Sequence, residues 1–182
     1  MGVGIVKWIL TGVLLLGMFF NVQLCQAMSP EQYIESIAPY AQRVKEYGLF
    51  PSVAIAQSCR ETGFGRHLDA QDIYGRSVRE YNNVLGKKWR NNGRYFEKVT
   101  PEGYGAGRYM TVGKFQAYES IQDCFEDYAS NINRNPAYRY KDTSNVYNFI
   151  HSIAPRYATD NPWAYADGVL RIIEKYNLTK YD

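Results

Sequence analysis

The chain has 182 residues, 46% apolar and 21% charged, enough for one domain with its own core even after loss of an export segment. Its formal charge of +3 is small, and no run of Lys or Arg is dense enough to argue for a nucleic-acid partner. His67 and His151 are the only histidines and no Cys/His spacing resembles a metal site, so a metal-dependent hydrolase or a Ser-His-Asp triad has little material to work with.

Lys7 precedes an apolar run from Trp8 to Phe20, and polar residues then lead to Cys25-Gln26-Ala27, an approximate small-x-Ala cleavage site. Together these predict a secretory signal peptide over residues 1–27, cut near Ala27. The run falls short of the roughly 20 apolar residues of a spanning helix. An uncleaved N-terminal anchor is the competing reading. Val22-Gln23-Leu24 lacks the small residues that lipoprotein processing at Cys25 wants. The expected location is thus secreted or in the cell envelope, with membrane contact only through this segment. Cys59 and Cys124 remain after cleavage. In an exported protein they permit a disulfide, and two buried thiols on apolar helix faces is the equal alternative.

Ser29-Pro30-Glu31-Gln32 is a helix start, with Ser at the cap, Pro at the first position and Gln three residues beyond the cap. Ile34, Ile37, Ala38, Ala41 and Val44 follow at helical spacing, Pro39 predicts a kink or two short helices, and Gly48 ends the segment. A second helix is expected from Pro51-Ser52 to the Gly63/Gly65 pair. Between Asn82 and Tyr118 the helical period disappears among Gly, Asn and aromatic residues. There Tyr95–Thr100 and Arg108–Val112 read as strands around a Pro101–Gly105 turn region. Helical signals return at Ser120, at Val146–Ile153 and at Asn161-Pro162, with apolar stripes such as Ile121, Cys124, Phe125, Tyr128 and Ile132 that are core by default. Helices, a small β insertion, then helices make an α+β protein with a cleft expected where the two parts meet.

Val53, Gln57 and Glu61 recur every fourth residue and share one face of the second helix. Glu61 falls in the last turn, where the partial negative charge of the helix end disfavours its ionised form and pushes its pKa up. Phe64 nearby acts in the same direction. A general acid for glycosidic cleavage needs such a carboxyl, kept partly protonated near neutral pH. On spacing alone, a solvated helix-end Glu is the favoured reading.

Five segments in order change that balance: Pro51–Gln57, Glu61-Thr-Gly-Phe-Gly65, Asn82-Asn-Val-Leu-Gly86, Lys114-Phe-Gln-Ala-Tyr-Glu-Ser120 and Tyr157-Ala-Thr-Asp160, with Ile172–Leu178 closing the match. With these the chain resembles the peptidoglycan glucosaminidases of glycoside hydrolase family 73. The resemblance implies a mainly helical lysozyme-like domain over 28–182, with an antiparallel β-lobe about 82–118 flanking a substrate cleft. It implies an endo-β-N-acetylglucosaminidase acting on GlcNAc-β-1,4-MurNAc linkages of peptidoglycan, as a monomer and without metal or cofactor. A muramidase or lytic transglycosylase on the same fold, or a catalytically silent wall-binding module, are the alternatives.

The family's general acid maps onto Glu61. Thr62 stands where Ser is usual and Phe64 where Trp is usual, and Arg60 replaces an apolar residue. Counting forward from Asn82-Asn83 or back from Phe115 puts the second carboxylate at Glu102, with Glu97 as runner-up if the strand shifts. Tyr157 corresponds to a motif tyrosine near the general acid, although a packing role is equally open. Asn83, Phe115 and Tyr118 are candidate groove residues, and Trp89 and Trp163 offer further stacking faces.

Overall fold

The structure is a computed structural model that describes residues 28–103, 107–157 and 161–182. The expected signal segment 1–27 with its Ala27 cleavage site, the tip residues 104–106 and the end of the Tyr157–Asp160 segment lie outside the described residues.

Helix α2 (Pro51–Thr62) is the axis of the fold. Every residue from Pro51 to Cys59 is buried, as expected of a helix that is apolar or small on all sides. α1 (Pro30–Ala41), α5 (Pro162–Lys175) and the C-terminal 3₁₀ turn Leu178–Tyr181 pack around it. The start of α1 is the expected capping box, in which Gln32 N–H donates to Ser29 Oγ and Ser29 N–H to Gln32 Oε1. Pro39 is accommodated near the end of α1, where the chain tightens into a 3₁₀ turn over Gln42–Tyr47 that Gly48 closes at φ 70°. The Asp182 carboxylate caps α2 from the far end of the chain. Ser52 N–H donates to its Oδ1 at 2.8 Å and Ser52 Oγ to its Oδ2 at 2.7 Å, which places negative charge at the positive end of the helix.

α3 (Ile121–Arg134) starts on Ser120, whose hydroxyl accepts from Asp123 N–H, and buries the predicted stripe Cys124, Phe125, Tyr128 and Ile132. α4 (Val146–Tyr157) runs one turn beyond its predicted end, through Pro155. α5 starts on Asn161, as its Asn-Pro signal predicts, with Asn161 Oδ1 accepting from Ala164 N–H. Among the described residues no helix is long and apolar enough to cross a membrane.

Strands β1 (Tyr95–Glu102) and β2 (Tyr109–Gln116) form an antiparallel ribbon with Phe96 opposite Phe115, Lys98 opposite Gly113 and Glu102 opposite Tyr109. β2 extends to Gln116, past the predicted Val112, because Lys114–Gln116 pairs with Tyr95–Glu97. The two strands therefore occupy the second half of the expected lobe, and residues 82–94 are turns and irregular chain with one bridge, Lys88 to Phe115. A lone two-stranded ribbon is marginal in water. This one is anchored by Phe96, which stacks on Tyr81 (4.3 Å between centroids) and on Phe115 (5.6 Å). Backbone bonds from Ile73 N–H to Glu97 O and from Gln116 N–H to Lys87 O tie both strands to the chain between α2 and β1.

Of the two readings left open for the cysteines, the structure has the buried thiols and not the disulfide. Cys59 on α2 and Cys124 on α3 are free, fully buried thiols. Each sits on the apolar face of its own helix, and burial pushes both thiols up to about 12, so they stay protonated as small core residues.

Candidate active site

α2 ends abruptly. Gly63, Phe64 and Gly65 all have positive φ (58°, 57° and 85°), and Phe64 N–H bonds back to Cys59 O at 2.8 Å. Gly65 cannot carry a side chain, since a Cβ there would lie 2.7 Å from the Tyr33 ring. Thr62, in the place where Ser is usual, fastens the exit: its hydroxyl donates to Ser58 O and accepts from Gly65 N–H. The turn leaves Glu61 on the last helical turn, facing out of the helical body toward the ribbon.

An open cleft of about 1490 Å³ runs from Glu61 along β1 to Glu102, with Lys88, Lys98, Thr100 and Phe115 on its floor and wall. On the other side of Glu61 a groove of about 880 Å³ continues past Gly86, Arg90, Tyr138, Arg156 and Tyr157. Glu61 lines both, so its carboxyl stands where the two arms join. Among the described residues no cluster of three or more His, Cys, Asp or Glu could hold a metal ion.

A chain of hydrogen bonds fixes that carboxyl. Tyr128 hydroxyl donates to Gln57 Oε1 at 2.6 Å, Gln57 Nε2 donates to the Tyr165 oxygen at 3.2 Å, and Tyr165 hydroxyl donates to Glu61 Oε1 at 3.1 Å. Gln57 and Tyr128 are buried, so each polar group needs the partner it has. Burial raises the Glu61 pKa above the ordinary carboxyl value, while the Tyr165 hydroxyl, Arg60 and His67 pull in the opposite direction. Oε2 carries none of this chain. Gly86, at φ 61°, lies beside it, and a Cβ there would be in ordinary contact with Oε2 at 3.6 Å. One oxygen is thus held from behind, and the other is free of that chain where the two arms join.

Tyr157, at the end of α4, is brought to the same place. Its ring is 5.6 Å from Tyr165 and 6.3 Å from Tyr128. Burial, together with Tyr165 and Glu61, keeps its phenol far above the usual range and so protonated. Arg60, the residue out of pattern, lies outside the cleft floor. Its guanidinium sits 4.9 Å above the Tyr165 ring, in space left by Gly168 on α5.

The ribbon separates the two candidate second acids. Side chains alternate along a strand, so Phe96, Lys98, Thr100 and Glu102 share the cleft face, and Glu102 makes an ion pair with Lys88. Glu97 points to the opposite face, where Lys114 lies 3.6 Å away.

Phe115 lies in the cleft floor. Asn83 borders a small hollow that Glu61, Phe96, Lys98 and Phe115 also line, whereas Tyr118 is corrected as a groove residue. Asn83 is 3% exposed, and its amide donates to Lys87 O and Gln116 O while accepting from Lys87 N–H, so it pins the Gly86 loop to β2. Tyr118 donates to Asp127 Oδ2 at 2.7 Å and borders a separate hollow with Arg90 and Asp123. Trp89 packs on Tyr95 and Trp163 on His151, both outside the lining of the Glu61 cleft.

Tyr165 and Gln57 were not singled out as site residues by sequence. Tyr165 is four residues before Val169 and so on the buried stripe of α5, and a buried tyrosine asks for a hydroxyl partner. That signal was available in the spacing.

Residues 38–178 match the family model described as mannosyl-glycoprotein endo-beta-N-acetylglucosaminidase. The chain belongs to this glucosaminidase family. Its relatives include the peptidoglycan hydrolase FlgJ of Vibrio parahaemolyticus, 32% identical over 81% of this chain and 47% of that protein. A probable N-acetylmuramidase of Lactococcus lactis subsp. cremoris is 33% identical over 85% of this chain and 35% of its own length. The chain thus spans half or less of the length of these two relatives. Among solved structures, the catalytic domain of the autolysin Auto from Listeria monocytogenes superposes with a TM-score of 0.66 at 30% identity, covering 84% of this chain and 87% of that chain. The expected mainly helical, lysozyme-like α+β fold is the one observed.

Proposed function

We propose that the chain is an exported peptidoglycan hydrolase of the cell envelope, an endo-β-N-acetylglucosaminidase that cleaves GlcNAc-β-1,4-MurNAc linkages with Glu61 as general acid. The observation that carries this reading is the Glu61 carboxyl itself. It is partly buried where two cleft arms meet, shifted toward its protonated form, and held at Oε1 by Tyr165. A proton on Oε2 then faces the cleft, where a glycosidic oxygen would lie. Glu102 is the second carboxylate in this reading. Its location on the cleft face, paired with Lys88, supplies the second acid that a two-carboxylate mechanism needs. Tyr157, protonated and within the Glu61 cluster, serves to orient the sugar beside the acid.

The choice of bond rests on the family description, and the Lactococcus relative carries the name of a muramidase. Mass spectrometry of fragments released from purified peptidoglycan decides it. GlcNAc reducing ends are expected. MurNAc ends would make the protein a muramidase, anhydro-MurNAc ends a lytic transglycosylase, and wall binding without released sugar a silent module.

A further inference from the structure

Two ammonium groups converge on the floor of the cleft. Lys88 Nζ and Lys98 Nζ lie 4.4 and 4.7 Å from the centre of the Phe115 ring. They arrive from different parts of the chain, Lys98 from the cleft face of β1 and Lys88 from the segment bridged to Phe115. Gly113 makes the meeting possible. It stands directly across from Lys98, and a Cβ there would come within 3.1 Å of Lys88 Nζ and 2.8 Å of Thr100 Cγ2. The absent side chain is the hollow that the Lys88 ammonium fills.

The charges around this hollow do not balance. Lys88 is paired with Glu102, and the neighbouring cations Lys87, Arg90 and Lys114 each have an acidic partner. Lys98 has none among the described residues, although burial and the charge of Lys88 both press its pKa downward. The Phe115 face attracts the ammonium but supplies no counter-charge. A half-buried cation without an anion is unfavourable, and here the empty side faces an open cleft. An anionic group on a ligand in the cleft would supply the counter-charge. Glycan strands built from GlcNAc alone carry no acid, whereas the muramyl sugar bears a lactyl ether ending in a carboxylate or in an acidic peptide.

We propose that Lys98, with Lys88 beside it, forms a carboxylate-binding subsite that takes the acidic substituent of the muramyl sugar and so selects wall glycan over neutral glycan. The proposal rests on the peptidoglycan reading above and names the substrate feature recognised in that site. Ammonium groups suit this role as mobile point charges.

The test is calorimetric binding to protein carrying Glu61→Gln, which leaves strands uncut, with and without Lys98→Met. Four ligands are compared: peptide-free strands with a free lactyl carboxylate, peptide-bearing strands, and each of these two kinds with its carboxyls blocked as amides. Lys98→Met is expected to weaken binding of carboxylate-bearing strands about tenfold and to leave the blocked strands unchanged. A loss confined to peptide-free strands assigns the lactyl carboxylate, and a loss confined to peptide-bearing strands assigns the peptide. Lys98→Arg, which keeps the charge, restores binding and shows that the fold is intact. Equal weakening for free and blocked strands, or none for either, overturns the subsite. The functional reading fails separately, if protein with native Glu61 releases no reducing ends from wall.

Discussion

Replacing Tyr165 by Phe removes one hydroxyl and leaves the ring, so the effect on Glu61 is isolated from packing. The hydroxyl donates to Glu61 Oε1 at 3.1 Å, and the bond favours the ionised carboxyl. Such a bond to a charged group is worth about 1.5–3 kcal/mol against about 0.5–1.5 for a neutral one. The difference, on the order of 1.4 kcal/mol, corresponds to about one pKa unit. Glu61 therefore holds its proton to higher pH in the variant. The alkaline limb of the pH dependence of kcat/KM, which reports the acid of the free enzyme, should move up by about one unit. Gln57 Nε2 loses its acceptor at the same time, at a stability cost of about 1–3 kcal/mol, read as a lower Tm. The assay is kcat/KM on soluble wall glycan from pH 4 to pH 9, with the enzyme checked for folding at each point. A limb that stays in place or moves down refutes the role given to the Tyr165 hydroxyl.

Glu61→Gln should stabilise the protein, and only where the native carboxyl is forced to ionise. Its folded pKa lies above the unfolded one, so the folded state binds the extra proton and native stability declines as pH rises between the two values. The Tm gap between variant and wild type should be near zero at pH 3 and open toward neutral pH, and a gap independent of pH contradicts the buried-acid account. Glu102→Gln should lower kcat by at least about 10²-fold. Glu97→Gln, which loses only the outward pair with Lys114, should stay within about twofold, and the reverse order would exchange their roles. Cys59 and Cys124 should both be unreactive toward a thiol reagent in the folded protein and both react after denaturation; an unfolded, unreduced sample with no free thiol would restore the disulfide.

Elements with local chemical punctuation were legible in the sequence. Ser29-Pro30, Gly63, Ser120 and Asn161-Pro162 mark helix ends by capping geometry alone, and the structure uses each of them. Glu61 was legible as a carboxyl at a helix end, and it took five ordered motifs to prefer it over a solvated one. What stayed hidden depends on contacts between distant segments. Tyr165 and Glu61 are 104 positions apart, and no local pattern says which buried tyrosine will face which acid. The length of β2 follows from its pairing partner, and the three backbone bonds of Asn83 join segments that no local pattern brings together. Gly113 lies just past the predicted strand end at Val112, and only the approach of Lys88 from outside the ribbon gives it a purpose.

The central claim is that Glu61 delivers the proton to the departing sugar. It is tested most directly with a pair of substrates, one a natural wall oligosaccharide and the other a GlcNAc-terminated glycoside whose dinitrophenolate leaving group needs no proton. Glu61→Gln should lower kcat/KM on the natural substrate by about 10²–10⁴-fold and leave the activated one within about tenfold of wild type. Equal losses on both substrates, or full activity on the natural one, would contradict Glu61 as the acid.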